Sequence, residues 1–162
     1  MPGEFLIVLP IEPIMPDTAY AAGTPLPMHC TLMPWFRWAA DGAETSALMF
    51  LLEGLAGDRT KGALQLVSAG PDMFGPNGDV PVHVLSRNRE LELLHTRLLI
   101  SLAMYRVRFR DLAWLGAGYR PHVGDVRVTA HDAGRTFAAD RIVLISRNEA
   151  GAKIVTSAHR LD

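Results

Sequence analysis

Apolar and polar positions along this chain follow two rhythms, one of short strands and one of helices. Residues 5–11, FLIVLPI, form an apolar run rich in β-formers and bounded by Gly3, Pro10 and Pro13, which predicts a buried strand. Proline and glycine then crowd EPIMPDTAYAAGTPLP, predicting a loop with one helical turn over 17–21. A second strand is expected over 29–33. The apolar density of ETSALMFLLEGL predicts a helix over about 44–55, ended by Gly54 or Gly57. Residues 63–67, ALQLV, read as a third strand, SAGPDMFGPNGD as a long turn-rich loop, and VPVHVLS as a fourth strand. From Asn88, a reasonable cap, to about residue 106, Leu91, Leu94, Leu98, Leu102 and Tyr105 recur on one face of a helix. In the last third, YRPHVGDVRVT predicts one strand, and RIVLISRNEAGAKIVTSAHRL two strands joined by a turn at 148–151.

Runs of strands between two helices, instead of strict alternation, predict an α+β chain with mostly antiparallel pairing. The sequence carries a rough twofold echo as well. Each half has a helix, a hairpin-like pair of strands and a proline-flanked histidine strand, at Pro27-Met28-His29 and at Pro121-His122. At 162 residues the expected organisation is one domain spanning 1–162.

Composition narrows the function. With 49% hydrophobic and 20% charged residues, the chain matches a folded soluble protein and neither a disordered nor a collagen-like one. A formal charge of −1 supplies no basic field for a long duplex nucleic acid, while a small anionic ligand stays open. Cys30 is the only cysteine, so no internal disulfide and no cysteine zinc cluster can form in one chain. Residues 5–9 are too short for a leader core, follow Glu4 instead of a basic stretch, and stop at Pro10. No segment approaches the roughly 20 apolar residues of a membrane span. A cytoplasmic protein is therefore expected.

The candidate chemistry lies in the two histidine strands. In a strand, residues i and i+2 share a face, so His29 and Thr31 project together, as do His122 and Gly124. Phosphodiester cleavage without a metal needs a base, an acid, and donors for the non-bridging oxygens. Two facing imidazoles meet the first two needs, because imidazole titrates near neutrality and one neutral and one protonated ring can coexist. The other histidines suggest less. His83 is expected as a satisfied strand histidine and His95 as half exposed on its helix, and no metal site is expected.

HCTL at 29–32, followed by RPHV at 120–123 with a helix and the FG-x-x-x-DVPVHVL stretch between, resembles the 2H phosphoesterase superfamily. That group includes the bacterial and archaeal 2′-5′ RNA ligase-like proteins, cyclic phosphodiesterases, and phage enzymes that degrade cyclic oligonucleotide signals. The resemblance covers nearly the whole chain in element order and rests on short motifs. It implies a bilobal fold of two antiparallel sheets related by an approximate twofold, with helices packed outside and a cleft between the lobes. It also implies His29 and His122 as the acid–base pair, Thr31 as a phosphate donor, and no cofactor. The superfamily pattern has Ser or Thr two residues after the second histidine, where this chain has Gly124. Either a donor is lost there, or the glycine makes room for a bulkier substrate, or its backbone N–H takes the contact.

Trp35, Phe36, Tyr119 and Arg120 flank the motifs, and aromatic rings beside a phosphate site are platforms for bases. The loop at 70–79 lacks the phosphate-loop pattern and its lysine, but in the resemblance it borders the cleft and makes Phe74 a candidate contact. The expected function is a metal-independent phosphodiesterase acting on a nucleotide or short cyclic oligonucleotide, either a 2′,3′-cyclic phosphate end or a cyclic signal. The alternatives are a non-catalytic nucleotide binder whose second motif has decayed, and an RNA end-healing or 2′-5′ ligase-type enzyme.

Overall fold

The computed structural model describes residues 3–38, 43–58 and 62–161. Its strands and helices run β1 (Gly3–Pro10), β2 (Ala19–Tyr20), β3 (His29–Trp38), α1 (Glu44–Gly57), β4 (Leu64–Phe74), β5 (Val80–Leu85), α2 (Arg89–Met104), β6 (Arg108–Phe109), β7 (His122–Gly124), β8 (Thr136–Ala139), β9 (Arg141–Arg147) and β10 (Lys153–Arg160). The α+β class and the antiparallel pairing hold. The expectation of two sheets does not, because hydrogen bonding follows a single path, β2-β10-β9-β1-β3-β7-β5-β4-β8, with β6 beside β3. What joins the halves is narrow: β3 and β7 share one register pair, Cys30 with Val123.

Both faces of the central strand β1 are buried, and its alternation separates two cores. Phe5, Ile7 and Leu9 face the helices, where they meet Leu48 and Leu52 of α1 and Leu91, Leu98 and Leu102 of α2. Leu6 and Val8 face the other way, onto Val143, Ile145, Val155 and Ile14. Helix α1 packs on β9 and β10, and α2 on β3. The α2 start is fixed as its sequence predicts, with the Asn88 side chain accepting the Leu91 N–H at 3.0 Å. Loop 11–27 crosses the helix-free face, anchored by buried Ile14 and by two hydrogen bonds from the N–H groups of Ile11 and Glu12 to the Met28 carbonyl. Where a helical turn is expected at 17–21, Ala19 and Tyr20 pair instead with Ile154 and Lys153. Among the described residues, no helix is long and apolar enough to cross a membrane.

Two other expectations fail for local reasons. Strand β4 runs through Gly70-Pro71 to Phe74, although those residues read as a turn. A register shift between Ser68 and Gly70, with Gly70 at φ 114°, absorbs the glycine as a bulge. Pro71 is tolerated because the β8 pairing ends at Val67, so that edge of β4 no longer needs its N–H. Conversely, the expected strand over 119–129 shrinks to three residues. The Asp125 carboxylate accepts the Arg127 N–H at 2.9 Å, a side-chain turn that takes the chain out of the sheet.

Candidate active site

The β3–β7 pairing that joins the halves also assembles the motif residues. With Cys30 opposite Val123 in an antiparallel pair, His29 lies opposite Gly124 and Thr31 opposite His122. Cys30 and Val123 turn to the helix core, both fully buried, so the four motif residues share the helix-free face. The histidines sit diagonally across two neighbouring strands. Each ring is held by the same device: His29 Nδ1–H donates to the Pro27 carbonyl at 2.7 Å, and His122 Nδ1–H to the Arg120 carbonyl at 2.9 Å. A carbonyl only accepts, which fixes the tautomer and leaves Nε2 of each ring for chemistry.

Two cavities meet at this point. One, of about 750 Å³, is lined by His29, Gly124, Trp35 and Met28 among others, and the second, of about 450 Å³, by His122, Phe74, Trp114, Tyr119 and Arg120. Thr31 and Pro34 line both. Burial holds both imidazoles below their ordinary pKa, partly offset by the carbonyl hydrogen bonds. The charges of His122 and Lys153 lower His29 further, and that of Arg120 lowers His122.

Strand β3 is braced where it carries Thr31. A register shift against β1 between Ile7 and Val8 interrupts the ladder at Leu32, next to Thr31. The Tyr119 hydroxyl donates to the Thr31 carbonyl at 2.8 Å, and His95 Nδ1–H to the Leu32 carbonyl at 2.9 Å. The Gly116 N–H donates to His95 Nε2 at 3.0 Å, and the Tyr119 and His95 rings stack at 3.8 Å. His95 is thus buried, not half exposed, and is a structural strut. Burial pushes the Tyr119 phenol well above its usual pKa, which keeps it a neutral donor.

His83 is the satisfied strand histidine expected, fully buried between Ser68 Oγ at 3.0 Å and the Asp125 carboxylate at 3.1 Å. Asp125 directly follows Gly124, and its N–H donates to the Pro81 carbonyl at 3.1 Å, so this chain of polar groups anchors the end of β7. Burial alone would raise the Asp125 carboxyl, but the Arg127 N–H, His83 and the Arg127 guanidinium bring it below the usual range.

The flanking candidates divide. Phe74 lies 4.5 Å from the His122 ring and 5.4 Å from Trp114, and the Arg120 guanidinium rests 4.7 Å over it while pairing with Asp72 at 3.1 Å. Trp35 reaches the larger cavity. Phe36 does not come to the site. It is 1% exposed and packs between Phe5 and Phe109 on the helix side. Trp114, Arg127, Arg147 and Lys153 line the cavities without having been singled out by the sequence; Arg147 and Lys153 are far from the motifs in the chain, and Trp114 and Arg127, though near the second motif, carry no pattern of their own. Among the described residues, no three or more His, Cys, Asp or Glu side chains gather as a metal-binding group.

Among solved structures, the chain is similar over nearly its whole length to a protein solved as a phosphoesterase, at 13% identity, with 99% of each chain covered and a TM-score of 0.60. It is similar also to E. coli LigT solved with NADP+, at 14% identity over 99% of this chain and 98% of LigT, TM-score 0.59, and to LigT solved with 3′-AMP, at 15% identity over 99% of both, TM-score 0.59. No protein-family model and no curated protein matches the sequence. At such identities the likeness is one of fold. The chain has the fold of LigT and the phosphoesterase, the group that its two histidine motifs resemble.

Proposed function

We propose that this chain is a metal-independent phosphodiesterase that cleaves nucleotide phosphodiester bonds with His29 and His122 as its acid–base pair. One observation carries the reading: two imidazoles on adjacent strands of one open face, each with Nδ1–H committed to a backbone carbonyl two residues earlier in the chain. In the reaction, the neutral ring takes the proton of the attacking hydroxyl, from water or a neighbouring ribose, as its oxygen bonds to phosphorus. The bond from phosphorus to the leaving oxygen breaks, and the protonated ring gives that oxygen its proton. The pair ends with its protonation exchanged. The Thr31 hydroxyl holds a non-bridging oxygen, Arg120 adds positive charge beside His122, and Phe74 and Tyr119 wall the smaller cavity. That LigT was solved with ATP, NADP+ and 3′-AMP supports a nucleotide as the ligand class.

Gly124 favours a second reading, a nucleotide binder without turnover, because it removes one donor from the four-residue motif set. Chromatography of products after incubation with 2′,3′-cyclic nucleotides, cyclic dinucleotides and cyclic trinucleotides, in the presence of EDTA, separates the two. Cleavage of one class, abolished in His29→Ala and His122→Ala, is expected. Binding of any of these ligands without products from any would leave the binder.

A further inference from the structure

We propose that the larger cavity is a second nucleotide subsite, so that the substrate carries a nucleoside on each side of the phosphate that is cleaved. The proposal rests on the two-histidine reading for where the phosphate sits and deepens it to a substrate class: a dinucleotide or cyclic oligonucleotide with an internal phosphodiester, in preference to a mononucleotide 2′,3′-cyclic phosphate. The reacting phosphate is placed at Thr31, the boundary of the two cavities. A mononucleotide cyclic phosphate has one nucleoside and fills one side, where the smaller cavity already offers Phe74 and Trp114. Both volumes, about 750 and 450 Å³, lie in the range of roughly 300–1,000 Å³ that holds a small organic ligand.

The larger cavity is built as a nucleotide site would be. The Arg147 guanidinium lies over the Trp35 ring, 4.0 Å from its centre, and donates to Glu4 at 3.4 Å, which places a cation against an aromatic face. Aromatic rings and guanidinium planes are the surfaces on which bases stack. The cavity is also lined by apolar Leu26, Met28 and Val126, and Lys153 and Arg127 bring positive charge to it. Its two carboxylates are already engaged, Glu12 by the Met28 N–H at 2.9 Å and Asp125 by His83 and Arg127. Gly124 and His29 both line this cavity, and the space beside Gly124 is open, since a Cβ there would meet nothing within 4 Å.

The test is the ratio of kcat/KM for a dinucleotide to that for a mononucleotide 2′,3′-cyclic phosphate, in wild type, Trp35→Ala and Arg147→Met. Loss of a stacking platform is expected to lower that ratio roughly five- to a hundredfold, mainly through KM. A ratio within about twofold of wild type in both variants overturns the proposal. Trp35 touches the core, so thermal melts accompany the ratio, and Arg147→Met, at a side chain outside the core, carries the test if Trp35→Ala unfolds. Calorimetry with a deoxydinucleotide and with the corresponding deoxymononucleotide reads the subsite without turnover. Tighter binding of the dinucleotide, lost in Arg147→Met, supports the subsite even if no substrate is cleaved and the two-histidine reading falls. Equal binding of both ligands overturns the subsite whatever the catalytic result.

Discussion

His29 and His122 reach the site by the same local device, yet the strands that carry them are built differently. Strand β3 is ten residues long, paired with β1 along its length and braced through Tyr119 and His95 at the carbonyls of Thr31 and Leu32. Strand β7 is three residues long, with one register pair to β3 and three to β5, and is held at its end by the buried His83–Asp125 contact. The first strand presents a hydroxyl two residues after its histidine, and the second presents empty space. On the proposed function, the two acid–base candidates are matched, but the candidates for holding the phosphate are not. Proton transfer needs both rings in their places. Anion binding would be more tolerant in that reading, because Arg120 and the cations lining the larger cavity could share it.

The largest expected effect tests the matched half of that comparison. If both rings transfer protons, His29→Ala and His122→Ala each lower kcat by roughly 10²- to 10⁴-fold, and the double variant is little worse than either single one. Steady-state rates on whichever substrate is cleaved decide it. A single variant that keeps more than about a tenth of wild-type kcat removes that ring from the chemistry and leaves the other as the sole proton carrier.

The unmatched half calls for a smaller pair of changes. Thr31→Val keeps the shape and β preference of the side chain and deletes the hydroxyl, so kcat/KM falls by about 10- to 150-fold if that group bonds a charged oxygen, the equivalent of roughly 1.5–3 kcal/mol. Gly124→Ser adds a hydroxyl where a Cβ meets nothing and φ is not left-handed. It is expected to raise turnover of a mononucleotide 2′,3′-cyclic phosphate about fivefold, the value of one new hydrogen bond near 1 kcal/mol. A fall in that rate would show instead that the substrate uses the space.

How much of this could be read beforehand follows the same divide. Strict alternation placed His29 with Thr31 and His122 with Gly124, because a strand face needs only a period of two. The 16-residue helix α2 was legible in its apolar spacing and its Asn88 cap. The start of strand β4 was legible in ALQLV, but its continuation to Phe74 was not, because Gly70-Pro71 carries turn chemistry that a bulge absorbs. The strand expected over 119–129 was not either, since the Asp125 side-chain turn overrode a Val-x-Val alternation. Two sheets were expected from the superfamily resemblance, and nothing in RPHV announces that a single Cys30–Val123 pairing will join the halves. Phe36 is adjacent to Trp35 and looks equivalent in the sequence, yet it is on the buried face. Arg147 and Lys153 reach the site only through the pairing of β9 with β1 and of β10 with β9.

The finest difference between the two motifs is electrostatic, and pH reads it. Burial lowers both imidazoles from the ordinary value of about 6.5, so in the free protein both lose their protons at lower pH than usual. Catalysis needs one ring protonated and one neutral. Above both values no acid remains, and below both no base remains, so kcat/KM is a bell whose maximum lies on the acid side of about 6.5 and which falls through neutrality. A bound phosphate favours the protonated form, which places the maximum of kcat at higher pH than that of kcat/KM. Removing the cation beside one ring relieves that ring alone: Arg120→Gln raises His122, and Lys153→Gln raises His29. Whichever substitution lies beside the ring that must be protonated is expected to move the alkaline limb of kcat/KM toward higher pH, and the other to move the acid limb in the same direction. A profile flat from pH 6 to 8 would break the acid–base pairing itself. An alkaline limb moved by one substitution and not by the other would name the ring that must be protonated in the free enzyme, and so assign acid to one strand and base to the other.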